Sequence, residues 1–213
     1  KVGRFEMVAG HRRKHAAKLA GLTHIPVIVR DMDHDEATIY MVDSNLKREK
    51  LTPMEKARAY TMKTEALRRK MGRKSKEEIA ALEAQGKKPL TADQELAAQT
   101  GESVATVQRF KTLTKLTPPL QKMVDKGAIP VNTAADIAQM KPKEQNALAD
   151  AIEKEAKVPS GTAAKELKEA SRAGTLTTEK IQAAVAPTKR EASAHTRQPR
   201  RRFGVLAGAR QGL

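Results

Sequence analysis

The 213-residue sequence contains no cysteine, which removes disulfides, thiolate catalysis and sulfur-ligated zinc together and fits a reducing compartment such as the cytoplasm. Tryptophan is also missing, and aromatic residues make up 2% of the chain. That is too few for the stacking platforms used on single strands and by sequence-reading RNA modules. No apolar run approaches the ~18 residues a membrane span requires, and no signal peptide is visible. His11 and His15 stand four apart, but Arg12 occupies the place where a zinc protease motif needs its glutamate. Arg12, Arg13 and Lys14 would also repel a dication, so zinc is not expected. No nucleophile elbow and no P-loop lysine motif occur.

What is present is basic charge. The formal net charge is +16, with a pI near 10.1, the electrostatic footprint of a nucleic-acid binder. It is localised: residues 47–76 hold twelve Lys/Arg against three Glu, and residues 187–213 hold seven against one. A solvated helix face mixes its signs more evenly, so the first cluster points to phosphate contact.

The stretch Leu96 to Phe110, LAAQTGESVATVQRF, spells a helix-turn-helix. Ala97 is small where two helices must cross closely. Gly101 supplies the backbone freedom of a short turn, and Ser103 is placed as the N-cap of the second helix. Val107 and Phe110 fall three apart and point back at Leu96. Val104, Ala105, Thr106, Gln108, Arg109 and Lys111 are then expected to face outward, the surface such a motif offers to a DNA major groove.

Residues 2–9 alternate loosely and read as a strand. Gly10 opens a helix closed by Gly21, Ile25 to Arg30 reads as a second strand, and Asp33 caps a helix HDEATIYMVDSNL. Thr52-Pro53-Met54-Glu55 is a strong helix start, running to about Met71. A helical piece to Leu82 and a loop at Gln85–Pro89 lead into the helix-turn-helix. Pro118 to Gly127, Pro130 to Met140, Pro142 to Ala156, Pro159 to Ala173 and Thr177 to Ala186 continue the helical series. The Arg- and Gly-rich tail from Pro187 reads as disordered. Lys1 falls within what reads as a strand, so the first domain is expected to lack an upstream segment.

Two segments of the first domain can meet an anion. The run Gly10-His11-Arg12-Arg13 opens a helix, whose free N–H groups and fork-shaped Arg donors suit a phosphate. Ser44-Asn45-Leu46-Lys47-Arg48 closes the next helix with an amide oxygen and further cations. In this order and spacing, GHRRKHA (Gly10 to Ala16) and SNLKR (Ser44 to Arg48) resemble the GERRxxA and ENxQR boxes of the ParB family of chromosome and plasmid partition proteins. The intervening AAKLAGLTHIPVIVRDMDHDEA and the later LTKLTPPLQKMVDKGAIP are also similar to that family. The likeness covers roughly residues 1–140 and is most like members from plasmids and integrative elements.

The resemblance implies an α+β, mostly helical chain: a small mixed ParB/sulfiredoxin-like domain, partial at its start (1–50), then an all-α helix-turn-helix domain (51–158). A helical extension (159–186) and a basic tail (187–213) complete the expected organisation. It further implies a homodimer in the cytoplasm, on nucleoid or plasmid. That dimer would load on double-stranded DNA at a centromere-like palindrome, use CTP with Mg²⁺ to close as a sliding clamp, and work with a ParA-like ATPase. By position, Gly10, Arg12 and Arg13 would cradle the triphosphate, Asn45 would help hold the metal and Arg48 would contact phosphate. Thr106, Gln108 and Arg109 would face bases beside Ser103 and Lys111, while Lys47, Arg58 and Lys63 would meet the DNA backbone. Two departures count against CTP hydrolysis: the family's glutamates are His11 and Ser44 here, and a hard dication wants carboxylate oxygen. The alternative is a ParB-like transcriptional regulator with a degenerate nucleotide site. Sulfiredoxin-like chemistry is excluded, since it needs a nucleophilic Cys.

Overall fold

The computed structural model describes residues 5–47, 51–72, 84 and 90–186. The residues before Phe5, the expected helical piece to Leu82, the Gln85–Pro89 loop, Arg48 and the tail from Pro187 lie outside the described residues. The described chain is mostly helical. In chain order it forms α1 (His11–Leu19), α2 (His34–Leu46), α3 (Pro53–Met71), α4 (Ala92–Thr100) and α5 (Val104–Leu113). Then follow α6 (Pro118–Asp125), α7 (Val131–Ile137), α8 (Pro142–Glu155), α9 (Gly161–Ala173) and α10 (Thr178–Val185).

Local chemistry sets the helix starts. The Asp33 carboxylate accepts from the Glu36 N–H at 2.7 Å, and Thr52 Oγ1 accepts from Glu55 N–H at 3.2 Å while Glu55 Oε2 accepts from Thr52 N–H at 2.9 Å. These capping boxes satisfy N–H groups that the first helical turn leaves without partners. Pro53, Pro118 and Pro142 occupy first-turn positions where no donor is needed.

The two strands expected at residues 2–9 and Ile25–Arg30 do not form among the described residues. A strand exists by pairing, and Ile25–Arg30 has no ladder partner there. Instead it runs as irregular chain, with Val27, Ile28 and Val29 exposed by 71%, 86% and 61%. Apolar, β-branched composition alone cannot supply the missing hydrogen bonds. The helix α1 that precedes it buries no residue.

Packing is organised by α3, whose apolar stripe serves two cores. Met54 and Ala57 in its first turns join Leu113, Leu116, Leu120, Val124, Ile129, Ile137 and Leu148 in a large core that continues through Leu167 of α9 and Val185 of α10. Tyr60 and Leu67, further along, join Leu96, Ala97 and Val107 in a second core, against which Ile39 and Leu46 of α2 also pack. Polar bridges lock these layers. Met54 N–H donates to Asp125 at the end of α6 (2.9 Å). The buried Gln145 accepts from Thr117 N–H at 2.9 Å and donates to the Met140 carbonyl at 3.0 Å.

Candidate nucleic-acid interface

The helix-turn-helix is built as its sequence demands. Thr91 caps α4, and at its end Gly101 sits at φ 70°, ψ 15°, the left-handed region that only glycine enters without strain. The chain then reverses, and Glu102 N–H donates to the Ala97 carbonyl at 3.1 Å. Ser103 begins α5: its hydroxyl accepts from Thr106 N–H at 3.1 Å and lies 2.8 Å from the Thr106 hydroxyl. Leu96, Ala97 and Val107 close the contact between the two helices.

The outer face of α5 is narrower than the sequence suggested. Ala105, Gln108 and Arg109 are exposed, with Thr112 beside them half-buried. Their spacing of three, four and seven residues puts them on one stripe, and the side chains of Gln108 and Arg109 have no partner among the described residues. Val104 leans into the second core instead. Lys111 is a correction: its ammonium is engaged by Asp93 of α4 at 2.5 Å and is four-fifths buried, so it staples the two helices together rather than facing outward. Thr112 was missed, although its place seven residues after Ala105 carries the periodic signal.

A residue from outside the motif holds it. Lys56 of α3 forms an ion pair with Glu102 in the turn, and its ammonium stands 4.7 Å from the Phe110 ring centroid and 5.5 Å from that of Tyr60. Tyr60 and Phe110 meet edge to face at 5.7 Å and 76°, the arrangement their quadrupoles favour. Burial alone would lower the Lys56 pKa, but the bond to Glu102 and the neighbouring Tyr60 outweigh it and hold the ammonium above its ordinary value. The Tyr60 phenol is pushed up chiefly by burial. Composition gave no hint of this cluster, because Lys56 and Glu102 are 46 positions apart.

The basic cluster divides into structural and free cations. Lys63 is a second correction: its side chain is 2% exposed and bonded to Asp43 of α2 at 2.5 Å, so it is not available to a DNA phosphate. Arg69 and Lys70 pair with Asp35 and Glu36 of α2 at 2.8 and 2.5 Å. The Arg69 hydrogen bond holds the Asp35 carboxyl below its ordinary pKa. The acidic face of α2 thus neutralises part of α3. Lys47 and Arg68 remain exposed, as does Arg58, which donates one bond to Gln121 (3.1 Å) and keeps further N–H groups free.

The two boxes expected to meet an anion lie at the start of α1 and at the end of α2. Gly10 takes φ 94° before α1, no side chain caps that helix, and its first turn carries no acid. Arg13 folds back so that its guanidinium lies 3.8 Å from where a β-carbon on Gly10 would stand. Arg12 is exposed. This terminus fits a phosphate chain. Asn45 is half-buried near the end of α2. The cavities beside Ile181 and beside Gln145 include no residue of either box. Mg²⁺ fits the donors poorly: no group of three His, Cys, Asp or Glu gathers among the described residues. The carboxylate nearest Asn45 in sequence, Asp43, is engaged by Lys63. No described helix is long and apolar enough to cross a membrane.

Residues 1–46 match the ParB N-terminal domain family. The chain is 54% identical over 56 residues to the probable chromosome 1-partitioning protein ParB of Deinococcus radiodurans, covering 26% of this chain and 19% of that protein. It is 30% identical over 141 residues to the chromosome-partitioning protein Spo0J of Thermus thermophilus, covering 66% of this chain and 44% of that one. The chain therefore spans under half the length of either relative. Among solved structures it matches the C-terminally truncated chromosome-partitioning protein ParB of Caulobacter crescentus, complexed to the centromeric parS site, with a TM-score of 0.41 and 23% identity over 84% of this chain and 73% of that one.

Proposed function

We propose that this ParB-like chain is a double-stranded DNA-binding component of a partition system, reading its site through the α5 stripe Ala105, Gln108, Arg109 and Thr112. The observation that carries this reading is the pairing of an immobilised helix with unpaired polar side chains on its outer face. Ser103, Thr106 and Lys111 of the same helix and its cap are instead tied into the cap or an ion pair. Arg109 has the fork that matches a guanine edge and Gln108 the amide that matches an adenine edge. Ser103 and Thr106, at the N-terminus of α5, sit where a phosphate approaches a recognition helix. Arg58 and Lys47 supply backbone contacts. In this reading the protein acts in the cytoplasm as a homodimer on a centromere-like palindrome, with a ParA-like ATPase as partner.

CTP belongs to the same reading. Its phosphates would lie at the start of α1 on Arg12 and Arg13, with the box residues Asn45 and Arg48 supplying further contacts, and binding rather than hydrolysis would close a clamp. The engagement of Asp43 by Lys63 favours, as a second reading, a ParB-like regulator that binds DNA without nucleotide. Titration with the four nucleoside triphosphates separates the two: CTP-selective binding supports the clamp, and equal weak binding supports the regulator.

The DNA assignment is tested by enriching a duplex from a random library on the purified chain, then comparing two variants. Arg109→Ala should relax discrimination at one base position by about 1–3 kcal/mol, whereas Arg58→Ala should weaken all duplexes alike and reduce the salt slope by about one. Enrichment of no duplex over random competitor refutes the assignment.

A further inference from the structure

We infer that Lys56 is a positioning residue for DNA recognition, setting the angle at which α5 enters the groove without touching DNA itself. The inference rests on the DNA-reading role of α5 proposed above. Its own support is the convergence of contacts on one ammonium: an ion pair to Glu102 in the turn, the face of Phe110 on the second turn of α5 at 4.7 Å and the face of Tyr60 at 5.5 Å. Glu102 stands immediately before the N-cap Ser103, and Phe110 follows the reading residues Gln108 and Arg109. Lys56 therefore grips α5 from α3, a helix outside the motif, at two points: just before its first turn through Glu102 and beside Arg109 through Phe110.

The remaining contacts of the motif do not fix this angle alone. Leu96, Ala97 and Val107 form an apolar contact, which is non-directional and tolerates small rotations, and the Lys111–Asp93 pair ties α5 to α4 but not to α3. Glu102 has its second carboxylate oxygen buried with no partner, so the turn depends on Lys56 to keep that acid in place. Arg109 lies about 8 Å along α5 from its start at 1.5 Å per residue, and a tilt of about 10° would displace it by about 1.4 Å. That exceeds the roughly half-ångström window within which a base-edge hydrogen bond keeps its strength. Flexible cations on phosphates follow such a shift, while a bidentate base contact does not.

The experiment uses the full chain and two duplexes, the one enriched from the random library and a scrambled duplex of equal composition. Lys56→Met keeps the stem against Tyr60 and Phe110 but removes the ammonium. It should weaken the enriched duplex about tenfold and the scrambled one less than about twofold, with the salt slope unchanged. Glu102→Gln should act in the same direction, and the double variant should be no weaker than the poorer single one, as expected for one shared interaction. Lys56→Arg, which retains charge, ring stacking and a donor for Glu102, should restore binding to within about threefold. Measurements are made well below each variant's thermal midpoint, and Glu102→Gln serves if Lys56→Met fails to fold. Equal weakening of both duplexes, or a salt slope lowered by about one, overturns the inference, the latter because it would mark Lys56 as a phosphate contact. Unchanged affinity in both single variants overturns it too, while leaving the reading of α5 intact. Failure to enrich any duplex overturns both.

Discussion

Removing Asp43 should damage the protein more than removing Lys63, although the two form a single ion pair. The Lys63 side chain is 2% exposed, whereas that of Asp43 is 41% exposed. In Asp43→Ala the ammonium stays in the α2–α3 interface with its counter-charge gone. Breaking a fully buried pair in this way costs about 3–5 kcal/mol, and because water reaches the Asp43 side, about 2–3 kcal/mol is expected here. Lys63→Met fills much of the same space with an apolar stem and leaves Asp43 on the solvent side, where a carboxylate is hydrated at little cost. Its effect should stay within about 1 kcal/mol of wild type. The double variant should then sit near Lys63→Met, since the offending charge is gone. Urea unfolding followed by far-ultraviolet circular dichroism reads the difference. At a slope of about 2 kcal/mol/M, Asp43→Ala should lower the midpoint by about 1 M and Lys63→Met by less than half of that. Equal loss in the two single variants, or a double variant worse than Asp43→Ala alone, would refute the reasoning.

Gly101→Ala meets no atom within 4 Å of the new β-carbon, so its cost is purely conformational; about 1–2 kcal/mol for a left-handed alanine is expected in the same urea assay. Gln145→Leu strips partners from Thr117 N–H and the Met140 carbonyl in a buried setting and should lower stability by about 2–4 kcal/mol, against near-neutrality for an exposed control such as Asn146→Ala. High pH should loosen the Lys56 cluster. The folded pKa of Lys56 lies above 10.5, so its contribution is complete below that value and is lost as pH rises through the raised folded value. Tyr60, also raised, from 10.0, adds loss in the same direction, because the folded state resists forming its phenolate. Thermal midpoints should therefore fall above about pH 10, and less so in Lys56→Met; a flat profile to pH 11 would contradict this.

The parts of the fold that were legible in the sequence are those set by neighbours along the chain. The capping boxes at Asp33 and Thr52, the turn at Gly101 and the N-cap at Ser103 each involve groups within five residues of one another, so a short window contains their cause. The outward exposure of Gln108 and Arg109 was legible for the same reason. The Lys56–Glu102, Lys63–Asp43 and Lys111–Asp93 pairs join residues 46, 20 and 18 positions apart, and no local pattern marks which lysine of a basic run will turn inward. The expected strands fail on a related point. Ile25–Arg30 has the composition of a strand, but composition describes half of a pair.

Net charge is accordingly a poor map of a binding surface. Of the twelve cations in residues 47–76, Lys56, Lys63, Arg69 and Lys70 meet acids of the same chain. They serve to join α3 to α2 and to the turn between α4 and α5. An ion pair already formed releases no counterions when DNA arrives, so these four should contribute little to the salt dependence of binding. On the DNA-binding reading, the cations expected to contribute are those left exposed, Arg58, Lys47 and Arg68 among the described residues of the cluster, with Arg109 on α5. Charge-removing variants of the paired set should thus shift stability first, and variants of the exposed set should shift the salt slope first. The same helix holds both kinds, and only the partner across the interface distinguishes them.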